Sequence, residues 1–269
     1  MSDLFPPFEP DKDPRPRRFN AVPLRVLLPN LVTLLSLCAG LTGIRFAFEG
    51  QLGAAIIAIL AAAIFDGLDG RIARLLKGTS RFGAELDSLA DFLSFGVAPA
   101  LILYIYGLNE LRSLGWLTAI LFASAAALRL ARFNVMIDDP ARPQWQKNFF
   151  IGIPAPAGAL TGLLPAYLLQ LGFAPPPGFA VFEAVYLLFI AFLMVSRIPT
   201  FAGKTFGSRV PREWVLPLFV IVIAVVGLLA TYPFQFLAVT TLLYLLMIPF
   251  GFRRYRSLER AHRSAGVQP

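Results

Sequence analysis

Eight apolar runs set the reading of this chain, at positions 27–48, 52–76, 80–107, 113–134, 153–173, 178–197, 213–231 and 233–252. Short polar or proline-rich breaks separate them. An α-helix rises about 1.5 Å per residue, so about 20 apolar residues cross the hydrocarbon layer of a bilayer. The pattern predicts an all-α fold, a polytopic transmembrane helical bundle of about eight spans. No fixed-period repeat underlies it. Ahead of the first run, residues 1–26 are polar and proline-rich and are expected to form a disordered tail, with no cleavable signal peptide evident. After the last run, residues 253–269 form a basic tail.

The polar breaks alternate in charge. One set holds Arg15, Arg17, Arg18 and Arg25, then Lys77 and Arg81, then Arg142 and Lys147, then Arg197, Lys204, Arg209 and Arg212, then Arg253, Arg254 and Arg256. The other holds little beyond Arg45, Arg112 and the uncharged segment Gly172–Gly178. Basic loops stay cytoplasmic. Both termini are therefore expected in the cytoplasm, which an even number of spans satisfies.

Composition agrees with a membrane protein: 57% of residues are hydrophobic and mean hydropathy is +0.68. The net charge of +8 flanks the apolar runs, so it points to anionic lipid and not to nucleic acid. Cys38 is the single cysteine, which excludes an intrachain disulfide and a cysteine-rich metal site. It is expected to be a small packing residue. The single histidine, His262, lies in the basic tail, which excludes a histidine-based zinc site and a Ser-His-Asp triad.

Four aspartates interrupt the second and third runs, as Asp66-x-x-Asp69-Gly70-x-x-Ala73-Arg74 and, eight residues later, Gly83-x-x-x-Asp87-x-x-x-Asp91. A carboxylate within a spanning helix costs roughly 2.5–3.5 kcal/mol on insertion scales. Asp66 and Asp69 share one helical face; Gly83, Asp87 and Asp91 form a stripe on the next helix, with Glu85 roughly opposite. Asp66 precedes Lys77 by eleven residues and Asp91 follows Ser80 by eleven, so the carboxylates reach similar depth in the cytoplasmic half of the membrane. Gly67, Gly70 and Gly83 are expected to allow close approach of a helix or ligand. Clustered like charges need neutralisation, and two divalent cations sharing a carboxylate would supply it. Such a pair suits displacement at phosphorus. Arg74 adds a fork for phosphate, so the implied substrate is an anionic pyrophosphate. An ion pathway, a structural carboxylate–arginine network, a membrane prenyltransferase or a cation transporter are the competing readings.

The aspartate, glycine and arginine positions match, one for one, the signature of the CDP-alcohol phosphotransferase family, which this chain resembles. The resemblance implies an integral membrane enzyme with a six-helix core, commonly a homodimer, using two Mg2+ or Mn2+ ions to displace CMP from a CDP-linked lipid or alcohol. It implies that Asp66, Asp69, Asp87 and Asp91 are metal ligands, with Asp87 bridging and Asp91 the catalytic base. It implies contacts to CDP-diacylglycerol from Gly70, Arg74, Ser80 and Gly83. Pro29-Asn30-Leu31-Val32-Thr33 resembles a family start that touches the nucleotide, through Asn30 and Thr33. Residues 27–205 would form the catalytic domain of six spans, with 206–252 adding two.

Three further segments resemble the membrane-integral phosphatidylserine synthases of bacteria: the continuation of the third run to Pro99, Leu128–Asn134, and Phe150–Pro156. The end of the sixth run, Met194–Thr200, is also similar. This resemblance implies L-serine as acceptor and the bacterial inner membrane as location. Glycerol 3-phosphate, an inositol phosphate or choline remain alternative acceptors. A serine site must neutralise a carboxylate. Arg129 or Arg132, at i and i+3, can do so, with Asn134 nearby; both arginines can equally anchor the helix end to headgroups or bind the diphosphate.

Overall fold

The computed structural model describes residues 24–78, 80–137, 149–196, 198–201 and 212–264. Arg15, Arg17, Arg18, Arg142, Lys147, Arg197, Lys204 and Arg209, on which part of the charge asymmetry rests, lie outside the described residues.

The chain is an integral membrane protein built from helices. Among the described residues, six helical stretches are long and apolar enough to cross a bilayer. They are α1 (Leu24–Phe48), α2 (Leu52–Leu75), the continuous stretch Arg81–Tyr106, α5 (Ser113–Ile137), α9 (Arg212–Thr231) and α10 (Pro233–Ser264). Within Arg81–Tyr106, α3 (Arg81–Asp91) passes through a π-helical turn, Phe92–Val97, into α4 (Ala98–Tyr106). Pro99 has no N–H to offer the carbonyl four residues back. The ladder is loosened just before it, where Ala98 N–H donates to the Leu93 carbonyl, five residues earlier.

The fifth and sixth expected spans are shorter. The run at 153–173 breaks at Leu163 into α6 (Ala155–Gly162) and α7 (Leu164–Gln170). Pro165 explains the break, because it cannot donate to the Thr161 carbonyl. That carbonyl instead accepts the Tyr186 hydroxyl at 2.7 Å, tying the break to α8 (Phe179–Val195). A ribbon absent from the sequence reading joins two polar loops: β1 (Phe149–Ile151) pairs antiparallel with β2 (Pro199–Phe201). The last helix also outruns its expected end at 252, carrying the first part of the basic tail as helix to Ser264.

Helices in lipid gain no hydrophobic drive from touching one another, so small residues and hydrogen bonds hold them. α1 buries Pro29, Thr33, Ser36, Gly40, Gly43 and Ala47, spaced by three or four, against α2 and α3. Ser36 Oγ donates to the Ala62 carbonyl at 2.9 Å, and Ser94 Oγ donates to the Ser36 carbonyl at 3.2 Å. The core beyond this seam is filled by Phe95, Phe122, Leu103, Tyr167, Leu187 and Ile190. Cys38 is not part of the packing. It is exposed on α1, away from the Ser36–Gly40 face, which corrects the expectation for it.

Candidate metal and nucleotide site

α2 and α3 follow one another across the short connection after Leu75 and both pack on α1, and this brings the aspartates together. Asp66, Asp69 and Asp87 each offer a carboxylate oxygen, all within 4.8 Å of one another. Oxygens on opposite sides of one ion, at about 2.0–2.6 Å each, lie at most ~4–5 Å apart, so this trio fits a hard divalent cation. Asp91 stands beside Asp66 but outside the trio. The four expected ligands thus divide into three clustered groups and one neighbour.

α1 supports the trio from the other side. Thr33 Oγ1 lies 2.7 Å from Asp69 Oδ2 and 3.1 Å from the Pro29 carbonyl. Its one proton is best used on the shorter, charge-assisted contact. Asp69 is buried, with 4% of its surface exposed, and this bond helps to fix its carboxylate. Sequence reasoning had placed Thr33 only toward the nucleotide. Its position four residues after Pro29, on the small-residue face of α1, is the signal for the second role.

A cavity of about 150 Å³ opens beside Asp69 and Asp87, and Asn30, Thr33, Gly70, Ser80 and Gly83 line it. Five of the six residues expected to meet the nucleotide therefore share one cleft with two of the aspartates. Gly83 is needed for its shape, since a Cβ there would lie 2.8 Å from Asn30 Oδ1. Ser80 has a structural duty as well: its Oγ accepts the Gly83 N–H at 3.0 Å and caps the start of α3. Arg74, the sixth, is exposed at the rim, its guanidinium 3.6 Å from where a Gly70 Cβ would stand. Gly70 therefore neighbours Arg74 and no second helix. Gly67 faces open space, so among the described residues no helix approaches it.

The three acceptor candidates on α5 go to different places. Arg129 is buried, with 8% exposure, within electrostatic reach of Asp66 and Asp91, and its guanidinium lies 5.2 Å from the Phe133 ring centre. Arg132 donates to the Val195 carbonyl at 2.6 Å, fastening α5 to the end of α8. Asn134 Nδ2 donates to Ser88 Oγ at 2.8 Å, fastening α5 to α3 next to Asp87. Only Arg129 faces the aspartates directly.

The model of the CDP-alcohol phosphatidyltransferase family matches residues 26–196, and that of CDP-alcohol phosphatidyltransferase 2 matches residues 213–249. The chain is 44% identical over 254 residues to a CDP-diacylglycerol–serine O-phosphatidyltransferase of Mycobacterium leprae, covering 93% of this chain and 82% of that one. It is 38% identical over 222 residues to an enzyme of the same name from Helicobacter pylori, covering 82% and 88%. An archaetidylserine synthase of Methanothermobacter thermautotrophicus is 33% identical over 185 residues, covering 67% and 74%. These matches span the clustered aspartates, the cleft and the helices that carry both: the chain belongs to the CDP-alcohol phosphatidyltransferase family.

Proposed function

We infer that this membrane enzyme transfers the phosphatidyl group of CDP-diacylglycerol to the hydroxyl of L-serine, giving phosphatidylserine and CMP. The observation that carries the reading is the cluster of Asp66, Asp69 and Asp87 beside the Asn30–Gly83 cleft, in a chain 38–44% identical to serine-accepting enzymes over most of its length.

Asp66, Asp69 and Asp87, with Asp91 beside them, would hold divalent metal, two ions of Mg2+ or Mn2+. When bound, the metal neutralises charge on the diphosphate and on the departing CMP. The cleft formed by Asn30, Thr33, Gly70, Ser80 and Gly83 receives the nucleotide, and Arg74 at its rim pairs with phosphate. Asp91 takes the proton of the serine hydroxyl as its oxygen attacks the lipid-linked phosphorus and the bond to CMP breaks. Arg129, between Phe133 and the aspartates, is the best placed of the three α5 residues to neutralise the serine carboxylate. Arg132 and Asn134 would act by holding α5 against α8 and α3.

Residues 27–205 carry this chemistry, and 206–252 add two spans. The positive loops orient both termini and the cleft toward the cytoplasm of a bacterial inner membrane. The lipid tails then stay in the bilayer while serine arrives from water. A homodimer is the expected assembly. Purified protein supplied with CDP-diacylglycerol, Mn2+ and labelled serine should release CMP and labelled phosphatidylserine in equal amounts. CMP release with glycerol 3-phosphate, an inositol phosphate or choline but not with serine would overturn the choice of acceptor.

A further inference from the structure

The end of the bundle away from the aspartates carries a second buried acid. Arg81–Tyr106 is 26 residues long. At about 1.5 Å per residue it separates the two ends by roughly 40 Å. At its far end, the turn from Gly107 to Arg112 and the segment from Leu171 to Gly178 enclose a cavity of about 250 Å³. Tyr106, Glu110, Glu183 and the Pro175–Pro177 run line it.

Glu183 is fully buried, and neither of its carboxylate oxygens has a hydrogen-bond partner. Tyr106 Oη, on the same cavity, is likewise buried without a partner. Glu110 stands exposed at the mouth, near enough for its charge to act on Glu183. No Lys, Arg or His among the described residues pairs with Glu183. Gly107 belongs to the arrangement too. A Cβ there would run into Glu183 Oε2, so the backbone has been kept bare where the carboxylate turns inward.

A buried ionised carboxylate without a partner is strongly unfavourable. Glu183, Glu110 and Tyr106 line one space, and their two carboxylates and one phenol oxygen are a set of hard oxygen donors. The space holds several waters, at about 30 Å³ each, so an ion can keep part of its hydration shell. Magnesium demands regular octahedral geometry, whereas calcium accepts six to eight oxygens in irregular arrangements. We propose that Glu183, with Tyr106 and Glu110, forms a binding site for a calcium-type divalent cation at the end of the bundle opposite the aspartate cluster. The ion would fasten the α4–α5 turn to the start of α8, and it is separate from any metal at the aspartates.

The test is equilibrium binding of radioactive Ca2+ to the full chain in lipid nanodiscs. A variant with Asp66→Asn, Asp69→Asn and Asp87→Asn silences the other metal centre. That variant should still bind one Ca2+ per chain. Adding Glu183→Gln should weaken this binding about 100-fold, and adding Tyr106→Phe or Glu110→Gln about tenfold, as expected for removal of a ligand or of supporting charge. Glu183→Gln in the otherwise unchanged chain should keep CMP release and lose one Ca2+ per chain. Glu110 is exposed, so Glu110→Gln gives a reading even if a change at Glu183 disturbs folding. No Ca2+ bound by the triple variant, or binding that Glu183→Gln and Glu110→Gln leave intact, overturns the proposal.

Discussion

Both ends of this bundle bury carboxylates, yet they solve the problem differently. At the aspartate end three carboxylates crowd within 4.8 Å, and other helices serve them: Thr33 from α1 bonds Asp69, and Arg129 from α5 faces Asp66 and Asp91. At the far end Glu183 stands alone inside the protein, with Glu110 at the surface and no bond to either oxygen. Supporting bonds fix geometry, as chemistry on a substrate requires. A lone acid in a roomy cavity fixes little by itself and suits a ligand that brings its own water. Burial of charge marks both places as unusual; what surrounds the charge separates a reacting centre from a holding one.

Substitutions can push the two ends apart or collapse the distinction. Asp91→Asn should have the largest effect, lowering CMP release by about 10³-fold in the labelled-serine assay, the loss typical of a missing general base. Chelation of divalent metal should abolish the same activity and added Mn2+ or Mg2+ should restore it. Activity surviving both treatments would remove the ground for treating the aspartate end as the reacting one. Thr33→Val should weaken activation by metal about tenfold while leaving the rate at saturating metal close to normal, because it removes a support and no ligand. A metal titration of the rate reads this directly.

Gly83→Ala should raise KM for CDP-diacylglycerol by roughly tenfold, equivalent to about 1.4 kcal/mol, with kcat little changed, since its Cβ displaces Asn30 from the cleft. The smallest effect is expected at Gly67, whose Cβ would meet nothing. Gly67→Ala should leave the kinetics unchanged and raise helix stability by about 0.5–1 kcal/mol, seen as a slightly higher Tm.

The aspartate end was readable because its spacing is local. Residues three or four apart on one helix, and equal distances from one turn, are arithmetic on the sequence. Thr33 on Asp69 joins residues 36 apart through the packing of α1 on α2; the small-residue face of α1 marks Thr33 as inward-facing but does not name its partner. Glu183 was passed over because one acid in an apolar run carries no pattern; its meaning comes from Gly107 and Tyr106, far away in sequence. The break at Leu163 is a different case. Pro165 stood in plain view, but hydropathy averages over a proline and so joined two short helices into one span. The β1–β2 ribbon is too short for alternation to reveal it. Fold class and span positions were legible because bilayer thickness imposes length, whereas side-chain partners across helices depend on rotations that length does not set.

The π-helical turn from Phe92 to Val97 begins immediately after Asp91. Such a turn holds one residue more than the helix on either side, and each residue advances an α-helix by about 100°. It therefore acts as an angular offset between two halves of one span. Upstream, the aspartate stripe keeps its own heading; downstream, Ala98, Ile102 and Leu103 point into the core. Deleting a single residue inside the turn would leave a helix still long enough to cross the bilayer. It would nonetheless rotate one half against the other, so that Asp91 and the buried apolar face could no longer both be correctly aimed.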